Sequence, residues 1–220
     1  MPNKNIKRLA VCAMLIAVSF LVTFCTAMFK VSGFLSLDLK DAVLSMISLM
    51  YGPLYGFISV IAVALLEFIT ISSTGVYGLI MNILASGTFV LVCGTVYKFK
   101  RNFTGAILAG ILTIISVTTV MITANIFITP YYLKMPTEVV LDMIIPVLLP
   151  FNLFKSVLNS SLMLLIYKPF TNVLKKNRLL EQKTENTYKM NTRSVLLTVV
   201  SAVLAIVAVG VMFYLGIEIK

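Results

Sequence analysis

A chain of 220 residues that is 60% hydrophobic and 12% charged, with a mean hydropathy of +1.03, carries more apolar surface than a water-soluble domain of this size can bury, which excludes a soluble protein. The net charge of +10 would suit nucleic acid, but the cations come in short runs between apolar stretches and read instead as topology signals. Histidine is absent, which removes haem and His-based zinc chemistry, and Cys12, Cys25 and Cys93 lie in apolar runs at no ligand spacing, so no disulfide framework or metal site is expected.

Lys4, Lys7 and Arg8 precede an apolar run to Phe29 that is too long for the core of a secretory signal, so an uncleaved first helix is expected from about Lys7 to Met28. Its Ala10, Ala13 and Ala17 form a small-residue stripe of the kind that lets another helix approach closely. The polar loop VSGFLSLDLKDA, with Asp38, Lys40 and Asp41, leads into a short second helix, Ala42 to Met50, which Gly52-Pro53 ends. The third helix, Leu54 to Ile71, carries Glu67, the one carboxylate inside an apolar span. A turn-rich stretch, SSTGVYG, precedes a fourth helix from Val76 to Tyr97. Asn82 and Ser86 share one face of it, and an amide in lipid needs partners, so Asn82 is expected to look inward. The basic run KFKR ends this helix. A fifth helix, Thr104 to Ile128, bears many hydroxyls of the kind that bond back to their own carbonyls, leaving Asn125 as its distinctive polar residue. The loop TPYYLKMPTEVV then holds Tyr131 and Tyr132.

The sixth segment, Ile144 to Tyr167, is apolar enough to cross a bilayer yet carries Lys155 near its midpoint. A cation at that depth must face a partner, a cavity or a ligand. At about 100° per residue, Asn152, Lys155, Ser156, Asn159 and Ser160 fall on one arc, and Leu153, Phe154, Val157, Leu158 and Leu162 cover the rest. This helix reads as one wall of a polar pocket. The alternative is a structural lysine paired with a buried carboxylate, for which Glu67 is the evident partner. A charged linker follows, and Val195 to Ile217 makes a seventh helix without inward polar groups. The resulting division is 1–177 for a six-helix binding domain, 178–193 for a cytoplasmic linker and 194–220 for an added transmembrane helix. An inside N-terminus gathers the cations of residues 4–8, 98–101 and 168–193 in the cytoplasm and leaves Lys30, Lys40, Lys134 and Lys220 outside. The loops around Asp38, Thr74 and Tyr131 would then roof a pocket open to the outside.

No G-x-x-x-x-G-K-[ST], G-x-S-x-G or His-based triad is present, so neither self-contained ATP hydrolysis nor a familiar membrane hydrolase is expected. What remains is a membrane-embedded binder that needs a motor elsewhere.

GFLSLDLKDA leading to YGPLYG, then SSTGVYGLIMNILASGTFV, then LPFNLFKSVLNSSL followed by a basic end, occur in this order across about Lys7 to Lys176. In these segments the chain resembles the substrate-binding S components of energy-coupling factor (ECF) transporters, and among them the riboflavin-specific ones. Asn152 and Lys155 form the most flavin-specific part of the likeness; Ala13 and Ala17 mark the wider class. The resemblance implies an all-α bacterial cell-membrane protein with a six-helix bundle, no enzyme activity and no cofactor, its ligand being riboflavin. It further implies docking, through Ala13 and Ala17, on a membrane coupling protein (the T component) that works with two cytoplasmic ATPases; nucleic acid has no part. Asn152 and Lys155 would meet the ring edge, Asn82, Asn125, Asp38 and Lys40 the hydroxyls, and Phe34, Tyr77 and Tyr131 the apolar surface. The seventh helix is a departure from the six-helix pattern. Two other readings stand beside this one: an S component for another vitamin or for flavin mononucleotide, and a structural membrane subunit whose Lys155 pairs with Glu67.

Overall fold

The computed structural model describes residues 4–26, 30–31 and 35–176. The expected seventh helix, the linker before it and Phe34 lie outside the described residues. The elements in order are α1 (Lys4–Thr26), a two-residue antiparallel pair β1 (Lys30–Val31) and β2 (Leu35–Ser36), α2 (Lys40–Tyr51), α3 (Pro53–Thr70), α4 (Gly75–Phe99), α5 (Phe103–Leu133), α6 (Thr137–Asp142), a π-helical turn (Ile144–Leu148) and α7 (Leu149–Lys176). Five of these helices are long and apolar enough to cross a membrane, and their outward faces carry exposed Leu, Ile, Phe and Val, as lipid contact requires. The chain is an all-helical, multi-pass membrane protein.

The exception is α2. Its 12 residues cover only about 18 Å at 1.5 Å per residue, well short of a bilayer core. Short as it is, α2 is the hub. It packs against α1, α3, α4 and α7, and nine of its residues are buried, among them Leu44, Met46 and Ile47. Val11 and Leu15 of α1, Val60 and Val63 of α3, Val90 and Cys93 of α4, and Met163 of α7 close around it. The turn that follows obliges Gly52 to adopt φ 105°, a left-handed conformation costly to other residues, and Pro53 then starts α3 at a position where its missing N–H is harmless. A second cluster, Leu35, Val140, Leu148, Phe151 and Phe154, ties β2, α6 and the π turn to α7. Phe154, from the apolar side of the helix, is buried in this cluster, whereas its neighbour Leu153 is exposed.

Several boundaries differ from expectation. α2 begins two residues earlier, at Lys40, because Asn159 of α7 accepts from the Ala42 amide at 3.0 Å and so caps the first turn from another helix. α5 runs past Ile128 to Leu133 although Pro130 lies inside it. The proline sits in the last turn, so one missing donor does not stop the helix. TEVVLD, expected as loop, forms α6, and Ile144–Leu148 is wound as a π turn around Pro146, with α7 continuing through Pro169 to Lys176.

Close approach of α2, α3 and α4 depends on glycine. A Cβ on Gly94 would lie 2.0 Å from the Ser48 hydroxyl and 3.2 Å from the Pro53 Cα, whereas one on Gly110 would have nothing nearer than the Met163 methyl at 3.5 Å. Gly94→Ala is therefore expected to destabilise the protein by about 1–3 kcal/mol through overpacking. Gly110→Ala should be neutral or gain up to about 1 kcal/mol of helix propensity. Thermal unfolding of both variants in detergent tests this, and equal effects would contradict the packing described.

Candidate functional site

Charge has to be neutralised locally inside an apolar bundle. The structure does this with five ionisable side chains from four segments. Lys40, only 1% exposed, directs its Nζ to Glu67 Oε1 at 2.8 Å, to Glu67 Oε2 at 2.6 Å and to Asn82 Oδ1 at 2.6 Å. Asn82 closes the triangle by donating its Nδ2 to Glu67 Oε2. Lys155 donates to Asp38 Oδ2 at 2.8 Å, and Lys40 stands 3.9 Å from the same oxygen, so the two pairs are one network. Asp41, 2% exposed, adds a fifth group whose Oδ1 has no hydrogen-bond partner. Burial opposes ionisation of Asp38, but the Lys155 and Lys40 cations outweigh it and hold this carboxyl below the usual carboxylate range.

The pairing weighed as the alternative, Lys155 with Glu67, is not the one found. Glu67 is the partner of Lys40, and Lys155 is paired with Asp38. The reason is the depth of the Leu35–Asp38 segment: with α2 so short, the chain before it folds into the bundle and brings a carboxylate to α7. Asn159 holds that segment as well, donating to the Asp38 carbonyl at 2.9 Å while it caps α2.

Above the network lies a cavity of about 200 Å³ at the end of the bundle where α3 finishes and α4 begins. Asp38, Glu67, Asn82, Asn125, Asn152 and Lys155 reach it as the polar floor and sides. Ser72, Ser73 and Thr74 of the α3–α4 turn line its rim, and Phe68, Tyr77, Met81, Met121, Tyr132 and Phe151 supply apolar and aromatic wall. The arc read on α7 faces inward: Asn152, Ser156, Asn159 and Ser160 are buried, and Leu153 is exposed. Asn152 donates to the Leu148 carbonyl at the end of the π turn, 2.8 Å away, and no described group donates to its Oδ1. Asn125 is committed to α5, donating to Met121 O at 2.7 Å and accepting from Thr129 at 2.8 Å. Among the described residues, no group of three or more acidic or cysteine side chains converges as a metal site would require.

Two residues picked out in the sequence do not line this cavity. Lys40 lies beneath it, fully engaged by Glu67 and Asn82, and Tyr131 is 74% exposed on the outer face of α5. Tyr132 takes the inward place instead, its ring 6.1 Å from that of Tyr77. The signal was present in the sequence: once α5 continues through Pro130, adjacent residues point about 100° apart. Thr129 and Phe151 gave no such signal, whereas the loop around Thr74, expected to roof the pocket, does line its rim.

The family model of the ECF transporter substrate-specific component matches residues 7–167. The riboflavin transporter RibU of Staphylococcus aureus (strain TCH60) is 29% identical over 182 residues, covering 77% of this chain and 93% of its own. A solved structure described as "Structure and mechanism of the S component of a bacterial ECF transporter" superposes with a TM-score of 0.67 at 28% identity, covering 78% of this chain and 99% of the other.

The network makes a specific demand on stability. Lys40→Met leaves Glu67 buried without its cation and is expected to cost about 3–5 kcal/mol, while Lys40→Met with Glu67→Leu should recover most of it. Thermal unfolding of the single and double variants is the measurement. Rescue of Lys155→Met by Glu67→Gln, with Asp38→Asn ineffective, would show that the pairing is otherwise.

Proposed function

The chain belongs to the family of ECF transporter substrate-specific components, and on that premise we propose that it is a riboflavin-binding member. It captures the vitamin outside the cell and releases it inward when coupled to a T component and two ATPase subunits. The relative named for riboflavin transport supports the choice of ligand. The observation that carries it is the convergence of three side-chain amides, Asn82, Asn125 and Asn152, on a cavity whose walls are aromatic and methionine-rich. Riboflavin joins a flat ring system with an edge of alternating donors and acceptors to a row of hydroxyls. The Asn152 amide, with its Oδ1 unengaged, matches the first, apolar rings and thioethers cover its faces, and the Ser72, Ser73 and Thr74 rim suits the second.

Charge argues for the neutral vitamin over its phosphate. The two lining carboxylates, Asp38 and Glu67, are neutralised by Lys155 and Lys40, and among the described residues no arginine or unpaired cation lines the cavity to hold a phosphate. In this reading Asn152 and Lys155 meet the ring edge, with Lys155 also holding Asp38 and the segment before it against the cavity. Lys40 and Tyr131 have no ligand contact. The inside N-terminus follows from the distribution of cations, and Ala10, Ala13 and Ala17, all exposed on α1, form the face that meets the T component.

Purified protein titrated with riboflavin, flavin mononucleotide and unrelated vitamins tests the assignment. Saturable quenching of riboflavin fluorescence is expected, with weaker response to the phosphate; a stronger response to another vitamin would refute it. Lys155→Met should weaken flavin binding roughly ten- to a hundredfold, from the loss of about 1.5–3 kcal/mol of charge-assisted hydrogen bonding. It should also lower stability, because Asp38 loses its cation. Adding Asp38→Asn is expected to restore stability and leave the affinity low. Full recovery of affinity in that double variant would make Lys155 a structural residue only. Independently, Ala13→Leu or Ala17→Leu should abolish transport in cells while leaving riboflavin titration of the purified protein unchanged; equal loss of binding would place the stripe inside the bundle.

A further inference from the structure

At the other end of the bundle, the α2–α3 corner and the last turns of α4 enclose a second cavity, of about 280 Å³. Its ionisable charge is of one sign. Lys98 and Arg101 line it, and no carboxylate does. Tyr51, Tyr55 and Tyr97 add aromatic surface to the lining. α2 and α4 both end at this corner and α3 begins there, so the helix ends offset one another and the positive character comes from the two cationic side chains.

Apolar surface begins where the donors end. Leu54, on the lining, is 67% exposed, and Ile58, one turn further along α3, is 57% exposed. A ligand that satisfies both halves has an anionic head and a hydrocarbon tail.

We propose that this corner binds one anionic phospholipid. Arg101 and Lys98 take the head-group phosphate, Arg101 with its planar fork of N–H donors and Lys98 as a point charge. An acyl chain lies along Leu54 and Ile58. A lipid held there would fill the space between the α2–α3 corner and α4 in the leaflet that faces the basic helix ends.

The test uses the full chain, purified in neutral detergent and stripped of lipid. Phosphatidylglycerol, zwitterionic phosphatidylcholine and inorganic phosphate are added separately, with native mass spectrometry reading bound lipid and thermal unfolding reading stability. One phosphatidylglycerol per chain should be retained in preference to phosphatidylcholine, and melting temperature should rise with it and not with inorganic phosphate. Lys98→Gln with Arg101→Gln should weaken retention roughly tenfold or more. Lys100→Gln removes a neighbouring exposed cation that does not line the cavity, and should leave retention unchanged. Equal loss with Lys100→Gln would reduce the effect to diffuse attraction and overturn the site. Equal retention of phosphatidylcholine, or the same stabilisation by inorganic phosphate alone, would overturn the anionic lipid as its occupant. Riboflavin titration should be unaffected by these variants, so the outcome is independent of the ligand assigned to the other cavity.

Discussion

The architecture depends on one constraint, that carboxylates and ammonium groups placed inside an apolar bundle must neutralise each other at hydrogen-bond distance. Lys40 with Glu67, and Lys155 with Asp38, meet it through segments far apart in the chain. Removing one partner leaves a buried charge unpaired. The network therefore ties the entry to α2, the end of α3 and the first third of α7 into a single arrangement. Asn159 reinforces it by capping α2 and holding the Asp38 carbonyl at once.

The same constraint explains why α2 is short. A full-length helix at that place would carry Asp38 and Lys40 out to the surface and leave Glu67 and Lys155 unpaired. Stopping after 12 residues lets the preceding segment enter the bundle, and the space left above it is the cavity. Close contact among α2, α3 and α4 at Ser48, Gly56 and Gly94 keeps the hub compact beneath that space. The binding cavity and the structural core are thus two consequences of one short element.

The two ends of the bundle differ in electrostatic character. The cavity above the network has carboxylates already paired with lysines, together with amides and hydroxyls, which favours a neutral polyhydroxylated heterocycle. The corner at the opposite end has two cations and no carboxylate, which favours a phosphate. Nothing in the net charge of +10 distinguishes these sites, because most of that charge lies in runs outside both.

Composition and periodicity alone determined that the chain is a helical membrane protein, and the isolated Lys155 with its polar arc marked the wall of the cavity. That much is legible because a charge or an amide in an apolar helix has few ways to exist, whatever surrounds it. The likeness of three segments to a known family identified the class of function. The partners were not legible. Asp38 and Lys155 are 117 residues apart, and Glu67 looked equally available to Lys155 until the depth of α2 placed Lys40 beside it. Tyr132 in place of Tyr131 turned on whether α5 survives Pro130, and the rim serines became lining only through the position of the α3–α4 turn. Local pattern states what each side chain requires; which neighbour meets the requirement is set by helix depth and rotation, and those are properties of the packed bundle alone.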